Sequence, residues 1–335
     1  MATTTIMAPE RGRQTQLAAA LVPAVVSAAA FGLSGSLARS LLDLGWSPAT
    51  VVAVRVGGAF LVLLVPCLLL LRRIGLPSGS QAARMVGFGV AAVGLAQLCY
   101  FSSVQYLSIG VALLLEYLAP VLLIGWHWAR SRRRPANGVL IGAAVALSGL
   151  VLVLDLTKGL TLNLIGVAWG LGAAVCLCAY FLLSEDASAA PVHPLLLTTV
   201  GTGIGGLLII LAGVGGVLPL TARTGQVTAA GMSVSWLWPV ALLILITAVL
   251  AYPTGIAAIR TLGSSLASFV ALSEVVFAVI FAAVLLGQHP SLAQLIGGVL
   301  ILVGIVVVQH GEKLGSTRNR YQPAASRAAR SSRSR

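Results

Sequence analysis

The stretch YLSIGVALLLEYLAPVLLIGWHWARSRRRPANGVLIGAAVALSGLVLV, residues 106–153, decides how this chain is read. Residues 261–308, TLGSSLASFVALSEVVFAVIFAAVLLGQHPSLAQLIGGVLILVGIVVV, repeat it 155 positions later without a gap. The informative matches are Pro135 with Pro290, Leu140-Ile141-Gly142 with Leu295-Ile296-Gly297, and Gly149 with Gly304. Each copy holds two apolar helices joined near a proline, and each helix is long enough to cross a lipid bilayer. A unit that recurs only once is no solenoid repeat. The chain therefore reads as two halves of a membrane protein.

Composition points the same way. Of the 335 residues 58% are hydrophobic and 9% charged, with a mean hydropathy of +1.01, too few ionisable groups to solvate a globule of this size. Cys67, Cys99, Cys176 and Cys178 fall inside apolar runs with no zinc-site spacing, so they read as small packing residues, and no metal or cofactor is expected. The polar start of the chain does not resemble a cleavable signal.

Ten helices are expected near 17–40, 48–71, 84–106, 109–130, 137–155, 164–184, 194–211, 236–259, 264–286 and 292–309. They divide into a basic leader at 1–16, a first five-helix unit at 17–155, a second at 164–310, and an Arg-, Ser- and Ala-rich tail at 311–335 expected to be disordered. Ser47-Pro48 and His193-Pro194 open the second and seventh helices, since proline suits a first helical turn. A turn is expected at Thr157-Lys158-Gly159, and the longest loop at 213–235.

The fold class is thus an all-α integral membrane protein with ten transmembrane helices as two inverted five-helix repeats. An odd number of helices per unit turns the second copy upside down, as in many secondary transporters. With a cytoplasmic N-terminus, the inner segments hold Arg11, Arg13, Arg72, Arg73, Arg84, Arg130, Arg132, Arg133, Arg134, Arg260, Lys313 and the tail arginines, against Arg39, Lys158 and Arg223 outside. The positive-inside rule then puts both termini in the cytoplasm of a cell that carries the chain in its plasma or inner membrane. The net charge of +13 is an orientation signal with a lipid-facing tail, and nucleic-acid binding is a poor reading of it. Glycines at spacing four, Gly138 with Gly142, Gly166 with Gly170 and Gly201 with Gly205, mark close helix packing within the chain in preference to a dimer seam; monomer and homodimer both stay open.

Chemistry is sought where polarity is least affordable. Arg55, Glu116 and Glu274 lie well inside expected helices, at about 2.5–3.5 kcal/mol per mid-helix charge on insertion scales, so each should face a cavity or a partner. Structural alternatives are an ion pair or a neutral carboxyl that fixes packing. Gln97 and Tyr100 share a face of the third helix with Ser103 close by, and Tyr252 of the eighth stands at the position related to Gln97. Pro253 next to it loosens that helix, chiefly as a bend. Arg55 and Glu116 sit seven residues from the outer ends of their helices, about 10 Å deep, so they could pair as an outer gate. Glu274 is the candidate for proton exchange.

At these residues the chain resembles a known family. Ser47-Pro48-Ala49-Thr50 with Arg55, and Gln105-Tyr106-Leu107-Ser108 running into Gly110-Val111-Ala112-Leu113, look like the ten-helix EamA-type family of the drug/metabolite transporter superfamily. Gly110 to Pro120, with Glu116 ahead of Pro120, is similar to the threonine/homoserine exporter group. The resemblance spans Leu17 to Gln309. It implies a cavity lined mainly by the third, fourth, eighth and ninth helices and export of amino acids or similar small amphiphilic metabolites. The family commonly reads Glu-Pro in its ninth helix and Gly-Glu at its end, whereas here the residues are Glu274-Val275 and Gly287-Gln288, which implies a straighter ninth helix with an uncharged end.

Two other classes compete with an exporter. A membrane enzyme acting on a lipid-linked substrate needs clustered acid, base or metal-binding groups, and His127, His193, His289 and His310 share no face. A channel or scaffold would show rings of charge or a filter-like loop if it formed a pore, and the sequence has neither. An ATP-driven pump is excluded, because no phosphate-binding loop is present.

Overall fold

The computed structural model describes residues 10–107, 109–132, 134–154, 163–185, 191–229 and 231–331, without the side chains of 10–20, 109–110, 229 and 313–331. Ser108, Arg133, the expected turn at 157–159 and most of the leader lie outside them. Among the described residues nine helices are long and apolar enough to cross a membrane: α1 Leu21–Asp43, α2 Pro48–Ile74, α3 Gly79–Val104, α4 Val111–Ser131, α6 Leu164–Glu185, α7 Pro194–Val214, α8 Leu237–Leu262, α9 Ser264–Leu286 and α10 Leu292–Glu312. A shorter helix, α5 Asn137–Val153, completes ten. The chain is an all-α multi-pass membrane protein. Helical backbone begins at Glu10, inside the expected leader, and runs beyond α10 to Ser331, where disorder was expected. Alanine and arginine, strong helix formers, supply eight of the nineteen residues from 313 to 331.

Local chemistry explains where the helices start and stop. Ser47 caps α2 by accepting from the Thr50 amide at 3.3 Å, with Pro48 in the first turn. His193 does the same for α7 through Nδ1, which accepts from the Leu195 amide at 3.2 Å ahead of Pro194. Ser78 and Gln81 form a reciprocal capping box at the head of α3. Gly263, at φ +81°, makes the one-residue turn from α8 to α9, a conformation that a side chain would strain.

The helices pack through glycines, as lipid demands, because apolar burial alone gives no advantage there. α5 lies on α10 so closely that a methyl group on Gly149 would come 2.5 Å from the Gly297 carbonyl oxygen, and one on Gly142 would come 2.8 Å from that of Gly304. Residue numbers rise along one helix as they fall along the other, so the two run antiparallel. Moreover, the shift of 155 that turns Gly142 into Gly297 turns Gly149 into Gly304, exchanging the two contacts. With α2 and α7 related by 146, the offset from Pro48 to Pro194, and α3 and α8 by 155, Gly58 against Ile244 likewise exchanges with Ile204 against Gly89. These exchanges are what a two-fold relation between inverted halves requires. All three glycine pairs singled out by spacing are used inside the chain: Gly138 and Gly142 against α10, Gly166 and Gly170 against α3 and α4, and Gly201 and Gly205 against Phe88 and Val93.

Among the described residues, one connection sets the halves apart. Residues 215–236 hold a β-hairpin, β1 Gln226–Ala229 paired antiparallel with β2 Met232–Ser235, in place of a plain loop. This strap grips the turn between α1 and α2. Ser47 Oγ donates to the Pro219 carbonyl at 2.6 Å, the Ser47 amide to that of Thr221 at 3.0 Å, and Trp46 Nε1 to that of Arg223 at 2.6 Å. Trp46 and Trp236 pack beside it with ring centroids 5.6 Å apart and planes tilted by 45°. The strap defines a hairpin face. Arg72, Arg73, Arg84, Arg130 and Arg260 mark the opposite, basic face.

Candidate functional site

A cavity of about 930 Å³ opens from the hairpin face into the bundle. Its mouth is framed by Arg39, Leu42 and Pro48 of the α1–α2 end and by Gln288, His289 and Ser291 of the α9–α10 turn. Its walls come from α1, α2, α3, α4, α6, α8 and α9, more helices than the four implied by the family resemblance.

Six of the seven sequence candidates line this one cavity: Arg55 on α2, Gln97 and Tyr100 on α3, Glu116 on α4, Tyr252 on α8 and Glu274 on α9. Ser103 does not. It is fully buried between α3 and α6, where its hydroxyl donates to the Gly166 carbonyl at 2.9 Å. Its position one turn beyond Tyr100 suggested the cavity face, but the small surface of Gly166 and Gly170 draws it to α6. Sequence reasoning missed Tyr117, which lines the same cavity as Glu274. Its place beside Glu116 was the available signal. It also missed Phe31 and Tyr180, aromatic residues inside apolar runs that nothing in the pattern distinguishes from core.

Arg55 and Glu116 share the cavity, yet no ion pair joins them. Arg55 is 9% exposed and its Nε has no hydrogen-bond partner. The expected gate made of a direct pair is therefore absent in this conformation: equal depth fixed the level of the two groups but not their separation across the cavity. A guanidinium donor left unsatisfied in a lined cavity is a ready partner for an anionic group, since an unmade hydrogen bond of a buried group costs about 1–3 kcal/mol or more.

All four helices named by the resemblance depart from regular α-geometry, at related positions. Wide turns bonded to the fifth residue back occupy Phe88–Leu95 of α3 and Leu245–Leu250 of α8, just ahead of Gln97 and Tyr252. Such turns are frequent at functional sites. α4 is interrupted at Tyr117-Leu118 and α9 at Leu272, its equivalent. The α9 interruption corrects the straighter helix expected from the missing proline. There the Ser273 hydroxyl donates to the Val270 carbonyl at 2.6 Å, and the Leu272 amide turns back to Phe269 at 3.1 Å. In α4 the interruption lies beside Pro120, which offers no amide proton to the carbonyl of Glu116.

Toward the basic face the cavity ends on aromatic rings. Phe31 meets Tyr252 edge-on at 5.1 Å, Tyr252 meets Tyr180 at 6.2 Å, and Tyr180 meets Phe88 at 5.7 Å. Beyond them the basic ends are tied together. Arg260 Nε donates to the Ser184 carbonyl at 3.2 Å and its terminal nitrogen to that of Val192, while His127 Nε2 lies 3.5 Å from Ser264 Oγ. The site is thus a polar, aromatic chamber open at one face and shut at the other.

Among the described residues no group of three or more His, Cys, Asp or Glu side chains could hold a metal ion. A bundle of ten membrane helices around a chamber open on one side, with charged groups contributed by both halves, defines the class of membrane transporters. The chain belongs to the EamA-like transporter family, whose model matches residues 18–155 and 164–309. It is 28% identical over 278 residues to an uncharacterized transporter of Archaeoglobus fulgidus, covering 82% of this chain and 92% of that one. It is 22% identical over 237 residues to the uncharacterized inner membrane transporter YicL of Salmonella typhimurium, covering 70% and 75% respectively. A solved crystal structure superposes with a TM-score of 0.69 at 18% identity, over 89% of this chain and 99% of that one, which speaks to the fold alone. Membership of a transporter family argues against an enzyme.

Proposed function

We propose that the protein is a secondary exporter of amino acids or similar small amphiphilic metabolites, working by alternating access, with the threonine/homoserine exporter group as its nearest kin. The observation that carries this reading is the meeting of Arg55, Glu116 and Glu274, from both halves, in one chamber that is open at the hairpin face and closed at the basic face. A zwitterion presents one carboxylate and one amine. Arg55, with its unpartnered Nε, receives the carboxylate, and Glu116 receives the amine. Gln97, Tyr100 and Tyr252 supply hydrogen bonds along the walls, and Glu274 exchanges a proton against substrate. The positive-inside rule puts the basic face and both termini in the cytoplasm, so the chamber opens outward. On this reading 17–155 and 164–310 are the two units that rock against each other.

The test is uptake into inverted vesicles, whose outer surface is the cytoplasmic one, across a panel of amino acids, with and without a pH gradient. Export of at least one amino acid, driven by the gradient, is the expected result. Indifference to the whole panel would remove the substrate class. A tag placed after Val217 should be reachable from outside intact cells and a tag at the C-terminus should not; labelling of the C-terminal tag would invert the orientation.

A further inference from the structure

We infer that Cys99 of α3 and Cys176 of α6 form an oxidisable thiol pair, closed into a disulfide by a lipid-soluble hydroperoxide, that staples α3 to α6. Cys99 lies on the face of α3 that packs on α6, and Cys176 stands one turn beyond Gly172, the α6 residue against which the Cys99 sulfur is set. The seam is tight there: a methyl on Gly172 would come 3.2 Å from the Cys99 sulfur, and Ser103 bonds Gly166 further along the same contact. Helices already held this closely bring two sulfurs together with little backbone movement. The other cysteines stand apart from the pair, since Cys178 donates to the Ala119 carbonyl at 3.3 Å and Cys67 is buried on α2.

Access sets the order of reaction. Cys176 is half-buried beside Val175, which is 61% exposed on the outer surface of the bundle, whereas Cys99 is buried. An apolar hydroperoxide dissolved in the bilayer therefore meets Cys176 first. The sulfur of Cys176 attacks the terminal peroxide oxygen, the O–O bond breaks, and the alcohol leaves with the thiol proton, giving a sulfenic acid. The sulfur of Cys99 then attacks that sulfur; the S–O bond breaks, and hydroxide leaves as water with the proton of Cys99. Two thiols are oxidised to one disulfide, and one peroxide is reduced to alcohol and water.

The staple would act on the wall of the chamber. Cys99 lies between Gln97 and Tyr100, just beyond the wide turn Phe88–Leu95, so fixing it to α6 restrains the part of α3 that departs from regular geometry. The related seam has no such device. The position equivalent to Cys99 is Thr254, whose hydroxyl donates to Leu250 of its own helix at 2.7 Å. Oxidation would thus hold one of two equivalent seams while leaving the other free, a brake on any motion in which the seams exchange roles. That consequence for export rests on the transporter reading; the bond itself does not.

The experiment uses the full chain in lipid nanodiscs treated with cumene hydroperoxide. The expected result is loss of two hydrogens in intact mass, a mapped Cys99–Cys176 linkage, the same linkage in the Cys67→Ser/Cys178→Ser variant, and none in Cys99→Ser or Cys176→Ser. Hydrogen exchange over Phe88–Leu95 should slow by about tenfold on oxidation and recover with dithiothreitol. Absence of the linkage in the wild-type chain, or over-oxidation of Cys176 without it, overturns the pair. A mapped linkage with unchanged exchange overturns the staple. Failure of amino-acid efflux by the reduced protein would count against the transporter reading and leave the mapped bond standing.

Discussion

α4 and α9 are interrupted at the same place in their respective repeats, and the chemistry of the two interruptions differs. In α4 a proline beyond the gap withholds an amide; in α9, where Val275 replaces it, a serine hydroxyl occupies the carbonyl of Val270. The carboxylates differ as well. Glu116 precedes its interruption and Glu274 follows its own. The lesson is that the geometry of the chamber is maintained by position in the fold, which either chemistry can satisfy, whereas each charged group is particular to its half.

The strongest way to break this comparison is at the shared seam. Gly149→Leu and Gly297→Leu force a side chain into the backbone of the facing helix, where no flexible neighbour can yield, so each should exceed the ~1–3 kcal/mol usual for overpacking. Both variants should lose the folded species in detergent, by thermal unfolding and size exclusion. A wild-type melting temperature in either would end the equivalence of the halves.

Next in size, the two carboxylates should fail differently. Glu274→Gln should slow export by roughly tenfold or more, equivalent to about 1.4 kcal/mol of barrier, and flatten its pH dependence. Glu116→Gln should weaken substrate affinity while keeping the pH dependence. Identical profiles for the two would show that the halves share one role. Wild-type export with unchanged pH dependence in Glu274→Gln would make that residue structural.

The interruptions themselves offer a sharper comparison. Pro120→Ala returns an amide to α4 and should leave the protein at least as stable while slowing export. Ser273→Ala removes one hydrogen bond, and should cost about 1 kcal/mol in unfolding free energy. Equal export rates for Pro120→Ala and wild type would show that the gap in α4 is not used in transport.

The smallest expected effect is at the head of α7. Burial, and then the Arg260 charge, hold the His193 imidazole below its ordinary pKa, and its neutral Nδ1 accepts from the Leu195 amide. A histidine with a lowered folded-state pKa stabilises the fold above its unfolded value near 6.5, and that contribution fades as pH falls through the lower folded value. Stability measured from pH 7.5 down to 5 should therefore decline slightly more in wild type than in His193→Asn, whose amide oxygen caps without titrating. Parallel curves would remove the histidine from the cap.

Much of this was legible in the sequence, for reasons that differ by feature. The glycines at spacing four marked the helix faces that pack closely, because close approach in lipid admits few residue types, but which helix each face meets was not legible. Arg55, Glu116 and Glu274 were legible because a charge inside an apolar span is costly. Ser103, Tyr117, Phe31 and Tyr180 were not. Each sits one turn or less from a residue whose burial pattern it shares, and only the rotation of neighbouring helices decides which of them meets the chamber. The gap in α9 was hidden for a related reason: a serine inside an apolar run is compatible with an intact helix, and its effect depends on which carbonyl its hydroxyl finds.

The strap over the α1–α2 turn has a thermodynamic consequence. Two inverted halves that merely traded places would give open-outward and open-inward states of equal free energy. The strap exists at one face only, and its hydrogen bonds to Gly45, Trp46 and Ser47 belong to the conformation seen here. Were closure of that face to part just two of them, at about 1 kcal/mol each, the resting population would shift roughly thirtyfold toward the form that keeps them. On the alternating-access reading proposed above, the connection that the repeat failed to copy would set the idle bias of the transporter, and shortening it should change which side waits open without altering what is carried.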